Sequence, residues 1–450
     1  DDAALQAIET ADLRAMSTTQ IAGLNSVQLN ALTSVQLQAL GSGQVQALTS
    51  TQLNNLNTTQ LAGLTSGQVQ NLSSNQLNTL TSVKLQALET GDVKALSSTQ
   101  IQSLSSTQLN SLSTSQVKAL STDQMRALSA TQLNSLSTTT VQALESTQIN
   151  ALTSTQVGGL TAAGVFNKLS TAQVAVLSTD VLRAASTSAI QGVSTVQINA
   201  LDSSQIQALT SSQVQALSST QLNNVETGQV KNLSSAQVQV LTSSQLNVMT
   251  STALQALETV DVQAIGTAVM QSLNSNALNG LASTQIQALS STQLKALTTA
   301  QLNALGSSAV QALDVDGVND LSTTQVGALS STQLNRLTTA QVAGLNTGNL
   351  KAIGTGALQG VSTTQLNALS STQVQALTSA QVQALTGEQL NSIDTTQVVN
   401  LSSAQVQVLS SNQLNALDDA ALQAIETADL RAMTTTQIAG LNSVQLNALT

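Results

Sequence analysis

The residues best spaced for chemistry lie at Asp314-Val315-Asp316-Gly317-Val318-Asn319-Asp320. Asp314, Asp316, Asn319 and Asp320 set closely spaced oxygen donors around an Asp-x-Asp-Gly core, which resembles a calcium-binding loop. Such a loop holds a hard cation through carboxylates and an amide carbonyl, so calcium is a candidate partner. A structural reading competes with it. The stretch keeps the register of the repeat described below, with Val318 and Leu321 at its two apolar positions, which makes it a variant repeat unit.

Other chemistry finds few residues to use. The chain has no His and no Cys, so Ser-His and Cys-His catalysis, thiolate metal sites and disulfides have no ligands or nucleophiles to work with. A Ser-Lys pair is open by composition, but the serines have another use, in capping. The carboxylate pairs Asp1/Asp2 and Asp418/Asp419 sit where helix caps are expected, and the glycines are scattered without forming a phosphate-cradling loop. The expectation is a protein that is not an enzyme, with no catalytic residue and no cofactor. A diffuse net charge of −10 disfavours nucleic acid and anionic membranes as partners. No run of about 18 apolar residues spans a bilayer, and no signal peptide is visible.

The element that must position all of these residues is one octapeptide, close to Ser-Ser-Thr-Gln-Leu-Asn-Ala-Leu, which recurs 56 times along 450 residues. Let a to h label its positions, with a at Asp1. Position e (Leu5, Leu13, Ile21) is aliphatic throughout, and h (Ile8, Met16, Leu24) is aliphatic with Ala185 as the smallest member. Positions a and b are mostly Ser or Thr, d is mostly Gln, f is often Asn or Gln, and g is often Ala. One unit, residues 161–169, has nine residues and carries the single aromatic, Phe166. Residues 418–450 repeat residues 1–33 with one change, Ser17 against Thr434. The chain therefore holds one large repeat, 1–417, made of 51 octads and the nonad, and the start of a second copy at 418–450. Asp1 opens in full register, which predicts that the natural chain begins upstream, as a window onto a longer array.

The octad reads as a short helix. Ser/Thr at a with Gln at d is a capping box, and the aliphatics at h and e flank it as a hydrophobic staple, as in Leu104-Ser105-Ser106-Thr107-Gln108-Leu109. The charges sort accordingly. Of 22 acids, 21 lie at a to d, with Asp320 the exception, and ten of 12 bases lie at f or g, with Lys84 and Lys168 the exceptions. A helix dipole sorts charge in this way, whereas a strand has only a small net dipole. Eight residues at about 100° each would rotate the apolar stripe by about 80° per unit, so a single long helix is excluded. The chain must turn at each h–a junction and form helices of about six or seven residues. The alternative is a β-solenoid, favoured by the Thr, Val, Gln and Asn content. It would send e and h to opposite faces.

Helices this short do not hold alone in water. They must bury e, h and g against neighbours, so the fold class is all-α, an α-solenoid. Every third e residue is Val or Ile from Ile21, Val45 and Val69 through Val165 and Ile190 to Val310. That period of three units predicts three helices per coil, and stacked coils predict a rod.

The units Leu-Ser-Ser-Thr-Gln-Leu-Asn-Ala-Leu and Leu-Thr-Ser-Thr-Gln-Val-Gln-Ala-Leu resemble the low-complexity repeat regions of giant secreted bacterial surface proteins of the adhesin or large-exoprotein type. The resemblance implies an extracellular or cell-surface location and a fibrous product, and it carries over no site residues. The expected function is a structural fibre, sheath or filament that assembles with copies of itself by tandem continuity and lateral packing. The alternatives are a rigid spacer stalk of a giant adhesin, and an ice- or glycan-binding surface built from the Ser/Thr rows.

Overall fold

In the computed structural model, which describes residues 2–449, each of the 56 units forms one α-helix, from Asp2–Gln6 (α1) to Ser443–Ala448 (α56). No strand occurs among the described residues, so the β-solenoid alternative falls. Local sequence accounts for most helix starts. Before Ser98–Ser103 (α13), Ser97 accepts the Gln100 N–H at 3.2 Å, and Gln100 Oε1 accepts the Ser97 N–H at 2.9 Å. Leu96 and Ile101 bracket that box and are both buried.

The helices run to four to six residues, from Val165–Lys168 (α21) to α13, so the six-residue ones meet the lower bound that the spacing predicts and the others fall short of it. The reason lies at the corner. Leu104 at h (φ −65°, ψ 135°) and Ser105 at a (φ −69°, ψ 160°) are both extended. The turn thus takes two residues out of eight. No described residue has a positive φ, so the corners need no left-handed glycine. This has a cost. The corner N–H still folds back onto the e carbonyl, as Leu104 N–H does onto Ile101 O at 3.2 Å, but without a left-handed cap the extended corner carbonyls at h must find other partners.

The structure divides into two units, Asp1–Asn232 and Leu233–Thr450. In each, a helix packs on the third helix along, which sets three helices per coil. In the first unit, Thr90–Ala95 (α12) lies between Ser66–Gln70 (α9) and Thr114–Ala119 (α15). In the second, Ser235–Gln239 (α30) packs on Thr259–Ala264 (α33). Within each unit the Val/Ile column at every third e residue is therefore one stacked face of the coil.

The core differs from expectation at two positions. Most residues at e and h are buried, but the third buried position is d. Gln116 and Gln213 are each only 1% exposed. Most residues at g are half-buried, because g packs against position b of the coil before. A Cβ on Gly63 would meet Ser34 at 3.3 Å, which is why g is kept small.

The nonad also corrects the register. Its extra residue is absorbed in the turn before α21, and Phe166 rather than Val165 takes the e role toward the following coil. Gln197 donates to the carbonyls of Phe166 and Leu169 at 2.9 and 2.7 Å, as other position-d glutamines do to e and h.

Candidate functional site

The arrangement repeated at every level of the molecule is a side-chain amide clamp between coils. Gln116 at d illustrates it. Its Oε1 accepts the N–H of Ser113, the N-cap of its own helix, at 2.9 Å. Its Nε2 donates to the carbonyls of Leu85 and Leu88 one coil earlier, at 2.9 and 2.8 Å. The Leu85 carbonyl also accepts the Leu88 N–H of its own corner at 3.3 Å, and Leu88 lies past the end of Ser82–Ala87 (α11), where carbonyls lack an intrahelical partner. One neutral side chain thus caps its own helix at the N-terminus and an older helix at the C-terminus. Gln44, Gln156, Gln293 and Gln413 repeat the geometry.

A second clamp runs forward from position f. Asn78 donates to the Ser103 carbonyl at 2.8 Å and accepts the Ser105 N–H at 2.7 Å. The donor can be Asn, Gln or a base. Gln70 donates to Ala95 O at 2.8 Å, and the Nε of Arg14 reaches Ala39 O at 3.0 Å. Arg14 and Arg126 at f thus also serve as carbonyl donors, in addition to the dipole preference that predicts bases there.

The two bases outside that sorting are explained by the first clamp. Lys84 stands where Gln is usual, and its Nζ donates to the Leu56 carbonyl of the preceding coil. In the nonad, Gly164 occupies the place of d, and Lys168 Nζ supplies the missing donor to Leu136 O at 2.5 Å and Asn134 O at 3.2 Å. Nothing in the linear sequence brings Lys168 to Leu136. Acids at d work by the opposite polarity. Asp92 accepts both the Glu89 N–H at 3.1 Å and the Ser66 hydroxyl at 2.8 Å.

The calcium candidates are drawn into the same scheme. The stretch is helical, Val315–Asp320 (α40), and is not a loop. Asp314 is its N-cap and accepts the Gly317 N–H at 2.7 Å. Asn319 is a forward clamp, donating to Gly344 O at 2.8 Å and accepting from the Asn346 N–H at 2.9 Å. Asp316 is exposed and Asp320 half-buried. Among the described residues no three of His, Cys, Asp and Glu gather to hold a metal. Among the described residues two ion pairs are formed, Lys118–Glu145 at 3.4 Å and Arg126–Asp123 at 3.2 Å, and both are largely exposed. At Asp394, the Thr396 hydroxyl and the Thr396 and Gln397 amides hold the carboxyl below the ordinary carboxylate range, against a smaller opposing push from burial.

Hydroxyls divide by position. Those at a are committed as caps, while most at b and c face outward. No described helix is long and apolar enough to cross a membrane.

No curated protein matches the chain. A solved structure titled "Structure of APUM23-GGAAUUGACGG" aligns over 98% of this chain and 95% of that one at 11% identity, with a TM-score of 0.17, too low to carry any argument. The ALTTAQ repeat matches residues 5–42, 37–74, 85–122, 109–138, 125–162, 222–259, 254–291, 288–323, 350–387 and 422–450. Those matches cover more than half of the chain, in step with the helices and clamps described above, and the chain belongs to the ALTTAQ repeat family.

Proposed function

We propose that this protein is a structural element, an extracellular fibre, sheath or filament former that assembles by tandem continuity and by lateral packing with copies of itself. The observation that carries the reading is the pair of amide clamps. They recur through the repeat and use the residues that define it, so the sequence is spent on joining one coil to the next. Capping occupies the position-a serines and threonines, and the position-d glutamines are buried. This leaves a surface of small hydroxyls and amides suited to packing against its own kind. The extracellular setting rests on the resemblance to giant secreted surface proteins.

Electron microscopy of native material tests the reading. Ordered filaments or tubes are expected. Single thin stalks ending in a separate head would replace it with the spacer reading.

A further inference from the structure

Within the first unit, Ser34–Gln38 (α5), Thr58–Ala62 (α8), α11 and Ser106–Ser111 (α14) pack one on the next along one face of the coils, and Ala130–Asn134 (α17) packs on Ser154–Gly158 (α20). The Asn110 amide joins the two sets by donating to Ser135 O at 2.9 Å. Position c is exposed on all six helices. Its residues are Val35, Thr59, Val83, Thr107, Thr131 and Thr155. All six are β-branched, so this face carries an unbroken row of methyl groups. The other two faces of the same coils break that pattern. Gly43, Gly67 and Gly91 hold position c on one, and Asn75 and Asp123 interrupt the other. Val35 and Val83 are 66% and 65% exposed, and they are the large hydrophobic side chains exposed among the described residues from 33 to 160. Eight charged residues lie in that span, and seven of them belong to the other two faces. The eighth, Lys84, turns its Nζ to the Leu56 carbonyl.

We propose that this neutral, methyl-lined face is a lateral contact whose occupant is the same face of a second copy of this chain. The inference rests on the lateral packing proposed above and names its surface. Charge selects the occupant. Each copy carries a net charge of −10, which opposes close approach through charged surfaces. Two copies meet at least cost where neither presents a charge. The area is sufficient. Six helices about 9 Å long at about 1.5 Å per residue, stacked about 8–10 Å apart, offer about 500 Å² per copy. Pairing then covers about 1,000 Å², the size at which a specific interface begins. The side chains are prepared for contact, because β-branching restricts χ1 and little rotamer freedom is left to lose on docking. Two identical patches make an isologous, two-fold contact, so this face closes at a side-by-side pair and leaves elongation to the tandem repeat.

Sedimentation equilibrium of the full chain tests this with two charge-matched variants. One carries Val35→Glu and Val83→Glu on the proposed face. The other carries Val27→Glu and Thr51→Glu at position c of Ser26–Ala31 (α4) and Ser50–Asn55 (α7), which stack on a neighbouring face. Val27 is 71% exposed and Thr51 is exposed, so both variants should keep the fold, and unchanged far-UV dichroism verifies it. The parent is expected to form pairs as its concentration rises. Val35→Glu with Val83→Glu is expected to weaken pairing by about tenfold or more, because the two-fold contact brings like charges together. Val27→Glu with Thr51→Glu is expected to pair as the parent does. Pairing that survives Val35→Glu with Val83→Glu, or that both variants weaken equally, overturns the proposal and leaves lateral packing through another surface standing. A parent that stays monomeric at tens of micromolar overturns both. A monomeric parent that binds ice or a glycan, and loses that binding with Val35→Glu and Val83→Glu, overturns the proposal and gives the face to that ligand.

Discussion

The Nε2 of Gln116 lies 2.8 Å from the carbonyl oxygen of Leu88, 28 residues earlier in the chain. The same side chain holds the N-cap amide of Ser113. This pairing converts a local helix start into a tie between coils. Replacing Gln116 by Leu should leave the Leu85 and Leu88 carbonyls buried without their side-chain partner, at a cost of about 1–3 kcal/mol. Gln116→Glu keeps an acceptor for Ser113 but loses the donor, and should cost at least as much. Native-state hydrogen exchange is the measurement, because a defect in a repeat array opens locally. Faster exchange is expected across the helices at 82–88 and 113–120. Unchanged exchange there would remove the clamp as a source of stability.

Lys84 provides the converse experiment. Its ammonium reaches Leu56 O from the place of a glutamine but cannot accept the Thr81 N–H. Lys84→Gln should therefore be neutral or stabilising, by up to about 1 kcal/mol for the restored neutral hydrogen bonds. Lys84→Met should be destabilising by a similar amount. If both variants behave alike in a thermal or denaturant melt, the Lys84 contact contributes nothing.

Two glycines with opposite surroundings test the packing. A Cβ on Gly192 would stand 1.9 Å from the Ala162 carbonyl oxygen, whereas one on Gly91 meets nothing within 4 Å. Gly192→Ala should push the nonad turn from its neighbour and cost about 1–3 kcal/mol, as overpacking does. Gly91 is inside α12, and Gly91→Ala should gain about 0.5–1 kcal/mol from helix propensity. Equal effects of the two changes would show that coil spacing is not set by this contact.

The clamps are mostly neutral amides, His is absent, and both ion pairs are exposed. Exposed pairs contribute little. The melting temperature should therefore vary by only a few degrees between about pH 5 and pH 9 and respond weakly to salt. Asp394 adds an acid-side component. Its carboxyl titrates lower when folded than when unfolded, so its contribution is present above the unfolded value and is lost as the pH falls through the folded one. Asp394→Asn should flatten that acid limb. A steep change of stability near neutrality in the parent chain would contradict the amide account.

Much of this architecture is legible in the octad because its causes are local. Ser97 and Gln100 are three residues apart, and Leu96 and Ile101 bracket them, so one window of sequence contains the cap, the staple and the reason for the helix. The charge sorting and the Val/Ile column belong to the same class, since both follow from position within a unit and from the count of units. The helix length is less legible, because how many residues a corner consumes depends on the backbone that h and a must adopt together.

What the chain order alone could not settle is which carbonyl each amide reaches. The partner of Gln116 is 28 to 31 residues away, and that distance exists only once three helices close a coil. The same closure turns Lys84 and Lys168 from anomalies of charge into donors, takes Asn319 from a candidate calcium ligand to a tie between coils, and gives the e role to Phe166. Local hydrogen-bond and staple geometry thus fixes the helices from sequence. The pairing of their orphan carbonyls is a long-range outcome, decided by how the corners bring one coil onto the next.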